Sequence, residues 1–125
     1  MLKIFFAHPD LKITSLYQDY LTQNFMVDSA HDGLSAIRQI RLIRPDIIVS
    51  DYALPLLSGL GVLKYVRGNA SLSPVPFIFL TDHPDASLAL SFGANDWLER
   101  GRTSPAQLTD RIIYHLKINQ PMFSS

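Results

Sequence analysis

The chain has 125 residues, 47% of them hydrophobic and 18% charged, and its eleven basic and eleven acidic side chains cancel to a net charge of zero. That is the size and composition of one globular domain, and the charge balance excludes sequence-blind nucleic-acid binding by a broad basic surface. There are no cysteines, which excludes a disulfide scaffold, a thiolate nucleophile and a cysteine zinc site.

The run Leu2 to Ala7 is apolar and bounded by His8-Pro9-Asp10. It is too short for a signal peptide or a membrane span and reads as a buried strand; a cytoplasmic location is the default expectation. Asp10 is placed to cap a helix in which Ile13, Leu16, Tyr17, Tyr20 and Leu21 share one face. Phe25 to Ala30 is a weaker, edge-ward strand. Asp32-Gly33 opens a second helix, with Leu34, Ile37, Ile40 and Ile43 inward and Arg38, Arg41 and Arg44 toward water, and Pro45 stops it. Asp46 to Ser50 is apolar on both faces, as a central parallel strand must be, and Asp51 stands at its C-terminal end.

The loop Tyr52-Ala53-Leu54-Pro55 leads into a third helix carrying Leu57, Leu60, Leu63 and Val66, which ends near Gly68-Asn69. Phe77 to Leu80 is a fourth strand ending at Thr81. A short helix spans roughly Asp85 to Ser91 and stops at Gly93, and Trp97-Leu98 belongs to a fifth strand. Ser104-Pro105 starts the last helix, with Leu108, Ile112, Ile113 and Leu116 on its buried side. One domain over residues 1–118 is expected, followed by a tail or linker start over 119–125. Five alternations of strand and helix with short connections give a doubly wound α/β fold: a five-stranded parallel sheet with helices on both faces. In such a sheet the ligand crevice lies beyond the C-terminal strand ends, where strand order reverses.

Ala7, His8, Asp51, Thr81 and Arg100 all map to that end. A carboxylate there, anchored by a buried strand yet open to solvent, can act as a nucleophile on a phosphoryl donor. A hydroxyl can bind a phosphoryl oxygen and a cation can offset its charge. Taken alone, Asp51 would cap the following loop and Thr81 would bond to backbone; it is their common position that makes a site.

The stretch Pro45-Asp46-Ile47-Ile48-Val49-Ser50-Asp51-Tyr52-Ala53-Leu54-Pro55-Leu56-Leu57-Ser58-Gly59 resembles the segment around the phosphoacceptor in the receiver domains of bacterial response regulators. Val75 to Thr81 resembles the family's fourth strand with its switch threonine. Gly93-Ala94-Asn95-Asp96-Trp97-Leu98 resembles the start of its fifth strand, with Trp97 at the switch aromatic. The resemblance covers nearly the whole chain. It implies a flavodoxin-like three-layer sandwich and a phosphoryl switch: a histidine kinase phosphorylates Asp51 with the help of Mg²⁺, and Thr81 and Trp97 rearrange. Partner binding then changes on the face of the fourth helix, fifth strand and fifth helix.

The chain departs from the family pattern where the metal is held. Two acidic residues end the family's first strand; Ala7 and His8 take their places here. Mg²⁺ wants oxygen ligands, which leaves Asp51 and the Ala53 carbonyl as a weak site, with Asp10 assigned to helix capping. No cofactor is therefore expected, and Mg²⁺ only if Asp51 is a working phosphoacceptor. Arg100 replaces the family's lysine, Gly101 replaces a frequent proline, and the stretch from Thr81 to Gly93 is about one helical turn short.

The expected function is an atypical receiver in a two-component phosphorelay, with Mg²⁺-dependent phosphorylation weakened or absent, that acts by binding a protein partner. Such a chain is at most an autocatalytic phosphotransfer enzyme. The alternative is a functional phosphoacceptor served by a histidine kinase. A flavin-binding protein on the same scaffold is a third possibility, though the first loop lacks a phosphate cradle. The partner is then a kinase or downstream effector, with a homodimer through the last helix open, and neither nucleic acid nor membrane is engaged by this domain.

Further expectations concern charge. Arg100, together with a protonated His8, would neutralise Asp51, the carboxylate favouring the imidazolium form; the plainer alternative points His8 to solvent. Asp82 and Asp85 read as turn and cap residues, His31 and His115 as surface histidines, and Trp97 as either a switch aromatic or a packing residue. Arg102, Arg111 and Lys117 with Tyr114 form either a small basic docking patch or an ordinary solvated face.

Overall fold

The structure is a computed structural model, and it describes residues 1–83 and 87–118. The chain runs β1 (Lys3–Ala7), α1 (Leu11–Leu21), β2 (Met26–Ala30), α2 (Gly33–Ile43), β3 (Ile47–Ser50), α3 (Gly59–Gly68), β4 (Phe77–Thr81), α4 (Ser87–Ser91), β5 (Asp96–Glu99), a single 3-10 turn (Arg100–Arg102) and α5 (Pro105–Ile118). The expected cap at Asp85 and the tail from Asn119 lie outside the described residues.

All five strands are parallel and ordered β2-β1-β3-β4-β5. The inner strands β1, β3 and β4 are apolar on both faces, and their alternation divides the core in two. Phe5, Ala7, Ile48, Phe77 and Phe79 point to one side, under Ala36 and Ile40 of α2, Leu60, Val62, Leu63 and Val66 of α3 and Ala89 of α4. Ile4, Phe6, Ile47, Val49, Ile78 and Leu80 point to the other, under Tyr17 and Leu21 of α1 and Leu108, Ile112 and Leu116 of α5. The sheet is therefore the middle of three layers, as expected. Each fully buried Phe or Ile side chain contributes about 1.5–3 kcal/mol by leaving water.

Helix starts follow their capping residues. Asp10 accepts from the Lys12 and Ile13 amides, Asp32 from Ser35, and Ser58 from Gly61. Ser104 and Gln107 bond each other's backbone amide through their side chains at the start of α5.

Several inward-facing residues differ from expectation. In α1 the buried set is Thr14, Tyr17 and Leu21, while Leu16 and Tyr20 are exposed; in α2 it is Ala36 and Ile40, while Leu34 is exposed. Leu57 precedes α3, half-buried in the loop. In α5, Ile113 is exposed and His115 is buried, because the buried stripe follows Leu108, Ile112, His115 and Leu116. Sequence periodicity gives the direction of a buried face, but its edges depend on how the helix rolls on the sheet.

Strand order reverses between β1 and β3: the chain leaves β1 toward β2 on one side and continues from β3 to β4 on the other. That reversal opens the crevice at the C-terminal ends of β1, β3 and β4.

Candidate functional site

Asp51 follows the last residue of β3. Its amide donates to the Ala7 carbonyl at 2.9 Å, which fixes it against the end of β1. The Ser50 hydroxyl donates to the Asp51 carbonyl at 2.8 Å. A Cβ on Gly59 would stand 2.2 Å from that same carbonyl oxygen, so only glycine lets α3 begin this close to the carboxylate. The side chain of Asp51 is 13% exposed.

Its two oxygens have separate partners. Oδ1 accepts from the Thr81 hydroxyl and from the Ala53 amide at 3.3 Å. Oδ2 lies 3.3 Å from Nε2 of His8. Thr81 in turn accepts from the His83 amide at 3.2 Å. The structure thus brings Asp51, Thr81, His8 and Ala53 together, as the sequence places them. Ala7 adds only its backbone carbonyl.

His8 does not point to solvent. It is 5% exposed, continues the alternation of Ile4 and Phe6, and stacks on Phe6 with ring centroids 6.4 Å apart. That period of two was the signal in the sequence for its burial. The Asp10 amide donates to Nδ1 at 3.0 Å. Nδ1 is therefore bare and the proton rests on Nε2, which faces the Asp51 carboxylate. Burial lowers the His8 pKa below its ordinary value; the Asp51 charge opposes this and the Arg100 charge adds to it. The imidazolium expected beside the carboxylate is thus disfavoured, because desolvation outweighs the single negative neighbour.

Arg100 corrects a second expectation. It is not paired with Asp51: its Nη2 bonds Asp82 Oδ2 at 2.6 Å, and Asp82 Oδ1 accepts from the Gly101 amide at 3.3 Å. Asp82 is more than a turn residue. Glu99 pairs with Thr81 in the sheet, so Arg100 and Asp82 leave neighbouring strands level with each other. Only the register between β4 and β5 reveals this, and the sequence does not carry it.

Trp97 is half-buried, with its ring 5.1 Å from Phe79 and 5.7 Å from Tyr52. Tyr52 stacks on His83 at 4.3 Å. These two residues were not singled out from sequence, and they cover one flank of the crevice. On the far side of β5, Asp96 accepts from Arg111 Nε at 2.7 Å and pairs with buried His115 Nε2 at 2.8 Å. His115 is therefore not a surface histidine, and Arg111 is held by Asp96 rather than free in a basic patch. Arg102 lies 3.7 Å from Glu99, and His31, exposed as expected, bonds the His8 carbonyl through Nδ1 at 3.0 Å.

The donor set does not suit Mg²⁺. Around the crevice Asp51 offers a carboxylate, but Ala7 offers no side-chain ligand, Nε2 of His8 carries a proton, and Asp10 Oδ1 is engaged by the Lys12 and Ile13 amides. Among the described residues no three His, Cys, Asp or Glu side chains gather as a metal-holding group. Magnesium demands near-octahedral oxygen coordination.

Comparison with known proteins agrees with the fold. The family model described as response regulator receiver domain matches residues 7–113. The DNA-binding response regulator MtrA of Mycolicibacterium paratuberculosis is 31% identical over 88 residues, 70% of this chain and 39% of that protein. The probable transcriptional regulator ycf29 of Pyropia yezoensis is 35% identical over 80 residues, 63% of this chain and 36% of that protein. The chain thus spans less than two fifths of these relatives. Among solved structures, the receiver domain of the Francisella response regulator 1452 superposes with a TM-score of 0.86 at 26% identity, covering 96% of this chain and all of that one. The chemotaxis response regulator CheY4 of Vibrio cholerae shares the fold at a TM-score of 0.85 and 24% identity, covering 92% and 98% of the two chains. A parallel sheet in this order, with an aspartate and a threonine joined at its C-terminal edge and a family match over most of its length, places the chain in the response regulator receiver domain family of two-component signalling.

Proposed function

We propose that this receiver signals by binding a protein partner, a histidine kinase or a downstream effector, with Mg²⁺-dependent phosphorylation of Asp51 weakened or absent. The observation that carries this is the internal engagement of the carboxylate. Thr81 and the Ala53 amide hold Oδ1, and neutral His8 lies 3.3 Å from Oδ2 where the family's second acidic residue would stand. Phosphoryl transfer depends on positioned positive charge, and a metal is a large share of it. Here the titratable side chain beside Asp51 is an uncharged imidazole, and Arg100 is paired with Asp82.

Phosphorylation of Asp51 by a histidine kinase is the second reading. It has one observation in its favour: the Thr81 hydroxyl already meets the carboxylate, as an oxyanion-binding hydroxyl should. No helix among the described residues is long and apolar enough to cross a membrane, and a cytoplasmic module is the setting that goes with either reading.

Intact-mass measurement after incubation with acetyl phosphate and Mg²⁺ separates the two, with Asp51→Asn as the control. The expected result is no added phosphoryl mass on the unaltered chain. Robust labelling that vanishes in Asp51→Asn would overturn the proposal.

A further inference from the structure

Among the described residues, Arg100 has two carboxylates near it in the crevice, Asp51 and Asp82. Arg100 begins level with Asp82, one residue beyond the Thr81–Glu99 pair. Its Nη2 lies 2.6 Å from Asp82 Oδ2, and the neighbouring Gly101 amide donates to Oδ1 of the same carboxylate. Asp82 therefore grips two consecutive residues of the turn after β5. Exposed ion pairs are weak on their own, but a backbone amide on the second oxygen fixes this one's geometry. The side chains of Arg100 and Asp82 are 29% and 57% exposed, against 13% for Asp51.

The consequence for the crevice is its charge. Arg100 remains close enough for its field to act on His8, yet its guanidinium donates to Asp82 and not to Asp51. Asp51 is left as a carboxylate beside a neutral imidazole. An oxyanion approaching the Thr81 hydroxyl would meet the Asp51 carboxylate and an arginine already paired with Asp82, which leaves its desolvation poorly compensated.

We infer that Asp82 is a positioning residue that holds Arg100 out of the Asp51 crevice and thereby closes the crevice to phosphate-like oxyanions. This rests on the reading above, in which Asp51 carries no phosphoryl group. Asp82 stands next to Thr81 in the chain, so the same strand end that delivers the oxyanion-binding hydroxyl also delivers the carboxylate that removes the cation.

The test is a titration of the ¹⁵N-labelled chain with inorganic phosphate at constant ionic strength, followed at the Thr81 amide and the Arg100 side chain. The unaltered chain is expected to bind weakly, with small shifts at both that set the reference affinity. Asp82→Ala is expected to bind phosphate about tenfold more tightly, the effect of one charge-assisted hydrogen bond, and Asp82→Ala/Arg100→Ala is expected to lose the gain. Asp82→Asn keeps an acceptor for the Gly101 amide while weakening the hold on Arg100. It is expected to shift in the same direction if Asp82→Ala disturbs the turn. Equal phosphate affinity with and without the Asp82 charge, or a gain that survives removal of Arg100, overturns the inference. Covalent labelling of Asp51 in the unaltered chain would instead sink the reading on which it rests, so the two failures are distinguishable.

Discussion

His8 shows how one substitution can change the chemistry of a pocket without changing its shape. The ring fits because it continues the buried alternation of β1, and Nδ1 can accept from the Asp10 amide only in the neutral form. A second proton would set Nδ1–H against the Asp10 amide. Burial lowers its pKa while Asp51 raises it, so NMR titration of the imidazole should give a midpoint below the ordinary value of about 6.5. Asp51→Asn should lower it further; a midpoint at or above the ordinary value, or one indifferent to Asp51, contradicts the geometry. The linkage has a definite sign. The unfolded chain takes up the proton first, so this contribution to stability is complete above pH ~6.5 and is lost as pH falls through the folded pKa. Burial of His8 was legible in the period of two along β1, but its tautomer was not, because that is set by the backbone amide of Asp10.

Among the elements, β5 and α5 are joined by a polar clasp rather than by apolar contact alone. Asp96 opens β5 and receives Arg111 and His115 from successive turns of α5. Burial pushes the Asp96 pKa up, but the hydrogen bonds from His115 and Arg111 outweigh it and hold it below its ordinary value. Its contribution is therefore present above pH ~4 and lost on further acidification. Asp96→Ala should lower the unfolding free energy by about 2 kcal/mol at neutral pH, measured by urea denaturation, with a smaller difference in acid. An unchanged midpoint would mean the clasp holds nothing. The sequence placed Asp96 and His115 on the right elements and still hid the pair, since His115 faces inward only once α5 has rolled so that Ile113 is exposed. The existence and order of the elements were readable because the inner strands β1, β3 and β4 are short apolar runs, each followed closely by a polar or breaking residue. Helix edges were less so: Leu34 and Ala36 are equally compatible with the periodicity of α2, and it is Ala36 that is buried while Leu34 is exposed.

At the scale of the whole molecule, two apolar faces on one parallel sheet fix a crevice at the β1–β3 reversal. The fold was legible because it needs only alternation and hydrophobicity. The site was half legible: Asp51, Thr81 and His8 fall at strand ends and meet there, whereas the capture of Arg100 by Asp82 depends on the register of β4 against β5. The architecture is thus complete while the charge around Asp51 differs from what a metal-assisted switch requires. Trp97 is the chain's single tryptophan and packs on Tyr52, the residue after Asp51, so its fluorescence reports on the crevice without a label. The most direct measurement is a titration of the chain with millimolar Mg²⁺ at constant ionic strength, reading Trp97 emission together with the Asp51 and Thr81 amide signals. The expected result is no saturable response, with Ala7→Asp/His8→Asp gaining one as oxygen ligands are restored. A saturable, Asp51-dependent response of the unaltered chain would show that the carboxylate serves a metal after all.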